Sequence, residues 1–124
     1  MCGIAGVLVF GGGAPERSDT QLRCMAHRGP DAEGVFERGR GWVGQTRLAI
    51  IDLPHGDPPI TNEDVTIGVA LNGEIYNYRE LRAGLLARDH VLRTDGDTEV
   101  IAHLAEELEP AALATALELS LIHI

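Results

Sequence analysis

A few short stretches of this chain carry side chains suited to breaking an amide bond. The first is MCGIAGV, where Cys2 stands directly behind the initiator methionine. Methionine before a small residue is commonly trimmed by aminopeptidase, which would make Cys2 the first residue. Its thiol would then sit beside its own free α-amine, whose reference pKa is about 7.7–8.0. One residue would hold nucleophile and base together. The neutral amine takes the thiol proton, and the ammonium passes it to a departing amide nitrogen. On position alone, an incidental cysteine near the start explains Cys2 as well or better.

A thiol attacking an amide needs donors for the oxyanion that forms. Asn72-Gly73, in LNGEIYNY, can offer the Asn72 side-chain amide and the Gly73 backbone N–H, which no Cβ screens. The same dipeptide is an ordinary hairpin-turn signal. A small zwitterionic substrate requires two further groups. The guanidinium of Arg47, at the end of a strand pattern, could hold an α-carboxylate in a bidentate grip. A surface strand arginine fits the local sequence too. Asp97, in TDGDTEV, could take an α-ammonium or simply cap a helix. Cys24 and His27 have the C-x-x-H spacing of half a zinc site, and no second pair follows at usable spacing. No metal is expected, and Cys24 reads as a buried free cysteine. His55, His90, His103 and His123 are scattered and receive no role.

These groups must be positioned by a single domain, since 124 residues suit one core. The apolar run Ile4–Phe10 predicts a strand covered on both faces. Ser18-Asp19-Thr20-Gln21 is a capping box, opening a short helix with Leu22, Met25 and Ala26 on one face. The helix ends before HRGPD (27–31), where Gly29-Pro30 turns the chain. Glu33–Arg38 and Trp42–Leu48 predict a hairpin joined at Gly39-Arg40-Gly41. LPHGDPP (53–59) reads as a loop and Val65–Leu71 as a strand running into Asn72. Tyr78, Leu81 and Leu85 mark an amphipathic helix, and residues 90–94 a short strand. Val100, Ile101, Leu104 and Leu108 outline another helix opening at Asp97 or Thr98. Strands and helices without strict βαβ alternation point to an α+β fold with antiparallel sheet.

Composition narrows the partners. A net charge of −9 without a Lys/Arg stripe counts against nucleic acid or anionic membrane. No run approaches the roughly 20 apolar residues of a membrane span. The start lacks a basic n-region, and Gly11-Gly12-Gly13 interrupts its apolar run, so it is not a signal peptide. Two cysteines form no disulfide framework, and a reducing, cytoplasmic location is expected.

Taken in series, MCGIAGV, HRGPD, RLAIID, LNGEIYNY and TDGDTEVI closely resemble the glutaminase domain of class II glutamine amidotransferases, from Met1 to about Leu108. HRGPD together with NGEIYN is most similar to the glutamine-hydrolysing asparagine synthetases. The resemblance implies the N-terminal-nucleophile hydrolase fold, a four-layer αββα sandwich of antiparallel sheets. It implies Cys2 as nucleophile and Asn72 with Gly73 as the oxyanion hole. Arg47 would bind the glutamine α-carboxylate, Asp97 its α-ammonium, and Glu74 would contact the same amine. HRGPD would be a structural turn near the nucleophile strand, with His27 and Arg28 holding the loop. The implied reaction hydrolyses glutamine to glutamate and ammonia through a cysteinyl thioester. In the family, that ammonia passes to a second domain where ATP and Mg²⁺ activate aspartate. This chain has no S-G-G-x-D-S or GxxxxGK[ST] loop, so no cofactor is expected within it. Its expected partners are glutamine and a C-terminal synthetase domain, with room for a homodimer of the parent protein.

The resemblance breaks at the end. Residues 1–118 would be a partial glutaminase domain, because ALATALELSLIHI departs from the GMFAFALWD-like strand that follows in the family. Residues 119–124 are expected to be a non-native, adapter-derived tail, the alternative being a natural apolar strand. Residues 1–124 alone are expected to express poorly and to hydrolyse glutamine weakly or not at all. Two other functions stay open. One is another class II amidotransferase, of the hexosamine-phosphate or phosphoribosylamine-forming type. Those tend to carry RGYDSAG- or HRGQDAAG-like motifs where this chain has HRGPDAEG. The other is a non-catalytic domain of the same fold.

Overall fold

The computed structural model describes residues 2–16, 19–48 and 58–121. Its main sheet is antiparallel: β1 (Gly3–Leu8) and β2 (Ala32–Arg38) flank β3 (Gly41–Arg47). The predicted hairpin is present, with Arg38 opposite Gly41 and a turn through Gly39-Arg40. Gly39 has a φ of +58°, in the left-handed region where a glycine is least strained. α1 (Asp19–Cys24) lies against one face of the sheet. Its Leu22 is buried against Gly44, and Met25 just beyond it reaches Gly3 and Thr46. The expected cap Ser18, and residues 53–57 of the proline-rich loop, lie outside the described residues.

β1 is an edge strand, and the expectation of cover on both faces does not hold among the described residues. Among the described residues its ladder partner is β3 alone. Ile4 and Leu8 are exposed, and Phe10 beyond the strand is 88% exposed.

The second core is helical. α2 (Tyr78–Leu86) and α3 (Glu99–Glu107) form where the apolar spacing predicts them, and α4 (Pro110–Ala116) follows. Pro110 suits the first turn of α4, where its missing N–H has no intrahelical partner to lose. Ile75, Leu85, Val100 and Leu104 are buried together, with Leu71, Tyr78 and Leu81 packed around them. Two short ladders border these helices: β4 (Ile60–Thr61) with β5 (Gly68–Val69), and β6 (Gly73–Ile75) with β7 (Leu119–Leu121). In the second of these, Gly73 lies opposite Leu121 and Ile75 opposite Leu119.

Two predicted strands are replaced by side-chain-bonded loops. In Val65–Leu71 only Gly68–Val69 enters a ladder. Asn62 Oδ1 accepts the N–H groups of Thr66 and Ile67 at 2.9 Å each, folding a turn in which Val65 has a φ of 59°. Residues 90–94 form no strand, because the N–H groups of Arg93 and Thr94 donate to the Glu99 carboxylate at 2.9 and 2.7 Å. The fold is thus α+β with antiparallel sheets. Among the described residues, no helix is long and apolar enough to cross a membrane.

Candidate active site

β3 ends in Gln45, Thr46 and Arg47, three buried polar residues in succession. Alternation along a strand sends Thr46 to one face and its two neighbours to the other. Thr46 Oγ1 accepts the Gly3 N–H and donates to the Met25 carbonyl, both at 3.2 Å. That bridge fixes the start of β1. Gly3 pairs with Thr46, so Cys2 lies one residue further, level with Arg47. Cys2 is half-buried, with Sγ 3.9 Å from the Leu48 carbonyl oxygen. Arg47 is only 9% exposed, which removes the surface-arginine alternative.

HRGPD presses on this same strand end. A Cβ on Gly29 would lie 2.4 Å from the Thr46 carbonyl carbon and 2.5 Å from the Arg47 nitrogen. Pro30 bridges Arg47, and the Asp31 N–H donates to the Arg47 carbonyl at 3.0 Å. The stretch is a turn against the strand beside Cys2. Backbone groups and the bare Gly29 make these contacts, while the His27 side chain is exposed.

On the other face, Gln45 clamps the segment that leads into Asn72. Its Nε2 donates to the Leu71 carbonyl at 2.8 Å, and its Oε1 accepts the Leu71 N–H at 3.2 Å. Asn72 and Gly73 follow, half-buried, and Glu74 is exposed. Asp97 comes to the same place. Its Oδ2 accepts the Ile75 N–H at 2.9 Å, and its Oδ1 accepts the Thr98 hydroxyl at 3.3 Å. α3 consequently has no side-chain cap, and the helix-cap alternative for Asp97 falls away.

The candidate residues therefore form two groups. Cys2 and Arg47 share the end of the β1–β3 ladder, while Asn72, Gly73, Glu74 and Asp97 gather at β6. Gln45 joins the two groups. Glu99 supports the second from behind: its fully buried carboxylate also accepts the Thr94 hydroxyl at 2.8 Å. Burial works to raise the Glu99 pKa. The N–H groups of Arg93 and Thr94 and the Thr94 hydroxyl outweigh it and hold the carboxyl below its ordinary value.

Gln45, Glu99 and the packing role of Gly29 were not singled out from sequence. The available signal for the first was a run of three polar residues, Gln45-Thr46-Arg47, closing a strand that is otherwise apolar or small. Cys24 also differs from expectation: it is exposed, on a six-residue α1 of which residues 20–24 bury Leu22 and no other. Two open grooves lie away from the candidate residues. One, of about 590 Å³, runs between α1 and β1; the other, of about 420 Å³, is lined by α3, α4 and Leu119.

A family model described as a glutamine amidotransferase domain matches residues 1–118. The chain belongs to that family. Among similar proteins, asparagine synthetase [glutamine-hydrolyzing] 1 of Arabidopsis thaliana is 46% identical over 110 residues, covering 86% of this chain and 18% of that protein. Asparagine synthetase [glutamine-hydrolyzing] of Sandersonia aurantiaca is 48% identical over 110 residues, covering 86% of this chain and 21% of that protein. The chain thus spans only about a fifth of the length of these relatives.

Proposed function

We propose that this amidotransferase domain hydrolyses glutamine through a thioester on Cys2 and delivers the ammonia to an asparagine-forming synthetase domain of the same protein. With Met1 removed, the Cys2 α-amine takes the thiol proton. The thiolate attacks the side-chain amide carbon of glutamine, and the C=O π electrons move onto oxygen. The Asn72 amide and the Gly73 N–H donate to that oxyanion. Collapse breaks the C–N bond, the Cys2 ammonium returns its proton, and ammonia leaves a γ-glutamyl thioester. Water, deprotonated by the same amine, attacks the thioester carbon and releases glutamate and the free thiol.

Arg47 grips the α-carboxylate of the substrate, and Asp97, with Glu74, receives its α-ammonium. This division suits a zwitterion, because each charged end meets the opposite charge. The fold we assign is the αββα sandwich of the N-terminal-nucleophile hydrolases. The acceptor reaction, with aspartate, ATP and Mg²⁺, belongs to the synthetase domain, and this chain holds no cofactor of its own. Residues 119–124 stand outside the amidotransferase domain in this assignment.

The observation that carries the proposal is the placement of Cys2 beside a buried Arg47, on a strand whose Gln45 clamps the residue before Asn72. The test is Cys2→Ser in the complete protein. Glutamine-dependent synthesis should fall by at least about 10³-fold while synthesis from free ammonia persists. Glutamine use that survives the substitution would remove Cys2 from its role.

A further inference from the structure

Two histidines that sequence left without a role meet in space. His103, on α3, is fully buried, and His90, after α2, is nearly so; their Nδ1 atoms face each other at 3.1 Å. Two carboxylates join them. Glu63 Oε2 lies 3.2 Å from His103 Nδ1, and the two oxygens of Glu106 lie 3.7 Å from the two Nδ1 atoms. The ligand atoms of these four residues all fall within 4.8 Å of one another. The geometry points to a structural site for a zinc-like divalent cation, held by His90, His103, Glu63 and Glu106.

The spacing fits such an ion. A tetrahedral ion bound at 2.0–2.1 Å sets its donor atoms about 3.3 Å apart. The 3.1 and 3.2 Å contacts lie just inside that spacing, and the 3.7 Å contacts of Glu106 require its carboxylate to close in on the ion. The protonation pattern fits as well. His90 Nε2 lies 2.7 Å from Glu107 Oε1, an acceptor that favours a proton on that nitrogen and a lone pair on Nδ1. His103 Nε2 is buried without a hydrogen-bond partner, and Glu99 Oε1 stands 3.6 Å away. A proton on that nitrogen suits the nearby carboxylate and leaves Nδ1 of His103 bare too. Two lone pairs and two carboxylates then converge, and a divalent cation between them relieves the repulsion.

Supporting contacts match those found behind metal ligands. Glu107 orients His90, and Arg88 donates to Glu107 at 3.0 Å. Asn62 Nδ2 donates to Glu106 Oε1 at 2.9 Å, fixing that carboxylate. The imidazole pair favours zinc over magnesium or calcium, which prefer all-oxygen shells. The ligands come from α3, from the segment after α2 and from the β4–β5 turn, so a bound ion would tie these three segments together. Glu63 and Glu106 keep 42% and 29% of their side-chain surface exposed, which gives the ion a way in.

The test uses the 124-residue chain released from a cleavable fusion without a histidine tag, with Cys2 and Cys24 replaced by serine to remove thiol ligands. After chelator treatment it is titrated with Zn²⁺ against a chromophoric competitor, and the bound ion is examined by X-ray absorption. One zinc per chain with only nitrogen and oxygen donors is expected, together with a raised Tm and no competition from Mg²⁺. His90→Gln and Glu63→Gln should each weaken binding at least about tenfold. Glu63 keeps 42% of its side-chain surface exposed, so Glu63→Gln keeps the fold, and near-UV circular dichroism checks that His90→Gln does too. No stoichiometric zinc, which is the result if a doubly protonated His103 bridges Glu63 through Nδ1 and Glu99 through Nε2 instead, would overturn the inference. So would zinc bound equally well by both variants.

Discussion

At Gly29 there is no room for a side chain. A Cβ would sit within 2.5 Å of the Thr46 and Arg47 backbone, which cannot yield as a flexible side chain would. Gly29→Ala should therefore destabilise the protein by about 1–3 kcal/mol, the usual range for overpacking. Because the displaced strand end carries Arg47, KM for glutamine should rise more than kcat falls. A wild-type Tm and an unchanged KM would contradict this. Glu99 acts at the same scale. Its carboxylate collects two backbone N–H groups and a hydroxyl. Glu99→Ala would leave the buried Thr94 N–H and hydroxyl without their acceptor at a cost of about 3 kcal/mol, measurable by denaturant unfolding. The arginine and aspartate candidates could be named from sequence because a charged residue at a strand end, as Arg47, or at a helix start, as Asp97, is conspicuous. The packing role of Gly29 and the bonding role of Glu99 could not be read in the same way, since both lie in what surrounds the residue.

Among the elements, β3 is the pivot: Thr46 fixes β1, and Gln45 fixes the approach to β6. Gln45→Ala removes both hydrogen bonds to Leu71 and should cost about 1–3 kcal/mol. In the complete protein it should lower kcat for glutamine hydrolysis about tenfold, leave KM nearly unchanged and spare ammonia-dependent synthesis. A loss that falls on KM alone would place Gln45 elsewhere in the mechanism. The hairpin, α2 and α3 were legible because periodic apolar residues and glycine turns report regular structure directly. Val65–Leu71 and residues 90–94 were misread for a shared reason. Asn62 and Glu99 supply hydrogen bonds that a neighbouring strand would otherwise make, and side-chain-to-backbone bonding of this kind leaves no periodic trace.

Across the whole molecule, the sheet and the helical core are unequal in their cover. β1 presents Ile4 and Leu8, with Phe10 beyond, on an edge strand. Exposed apolar edges template association. The chain should self-associate with rising concentration in sedimentation velocity, and Leu8→Lys should reduce that association strongly. Equal behaviour of the two proteins would show that contact forms elsewhere. The order of five motifs was enough to indicate the family. The meeting of His90 with His103 was not accessible in the same way, because it depends on how the end of α2 folds back onto α3.

The most direct measurement is covalent labelling with a glutamine-mimicking diazoketone, followed by peptide mass mapping. Cys24 is the more exposed thiol, so it serves as an internal control for simple accessibility. The expected result is one adduct per chain, on Cys2 of a terminus lacking Met1, suppressed by glutamine. Labelling confined to Cys24, or absent from the folded complete protein, would contradict the assignment of Cys2 as the nucleophile.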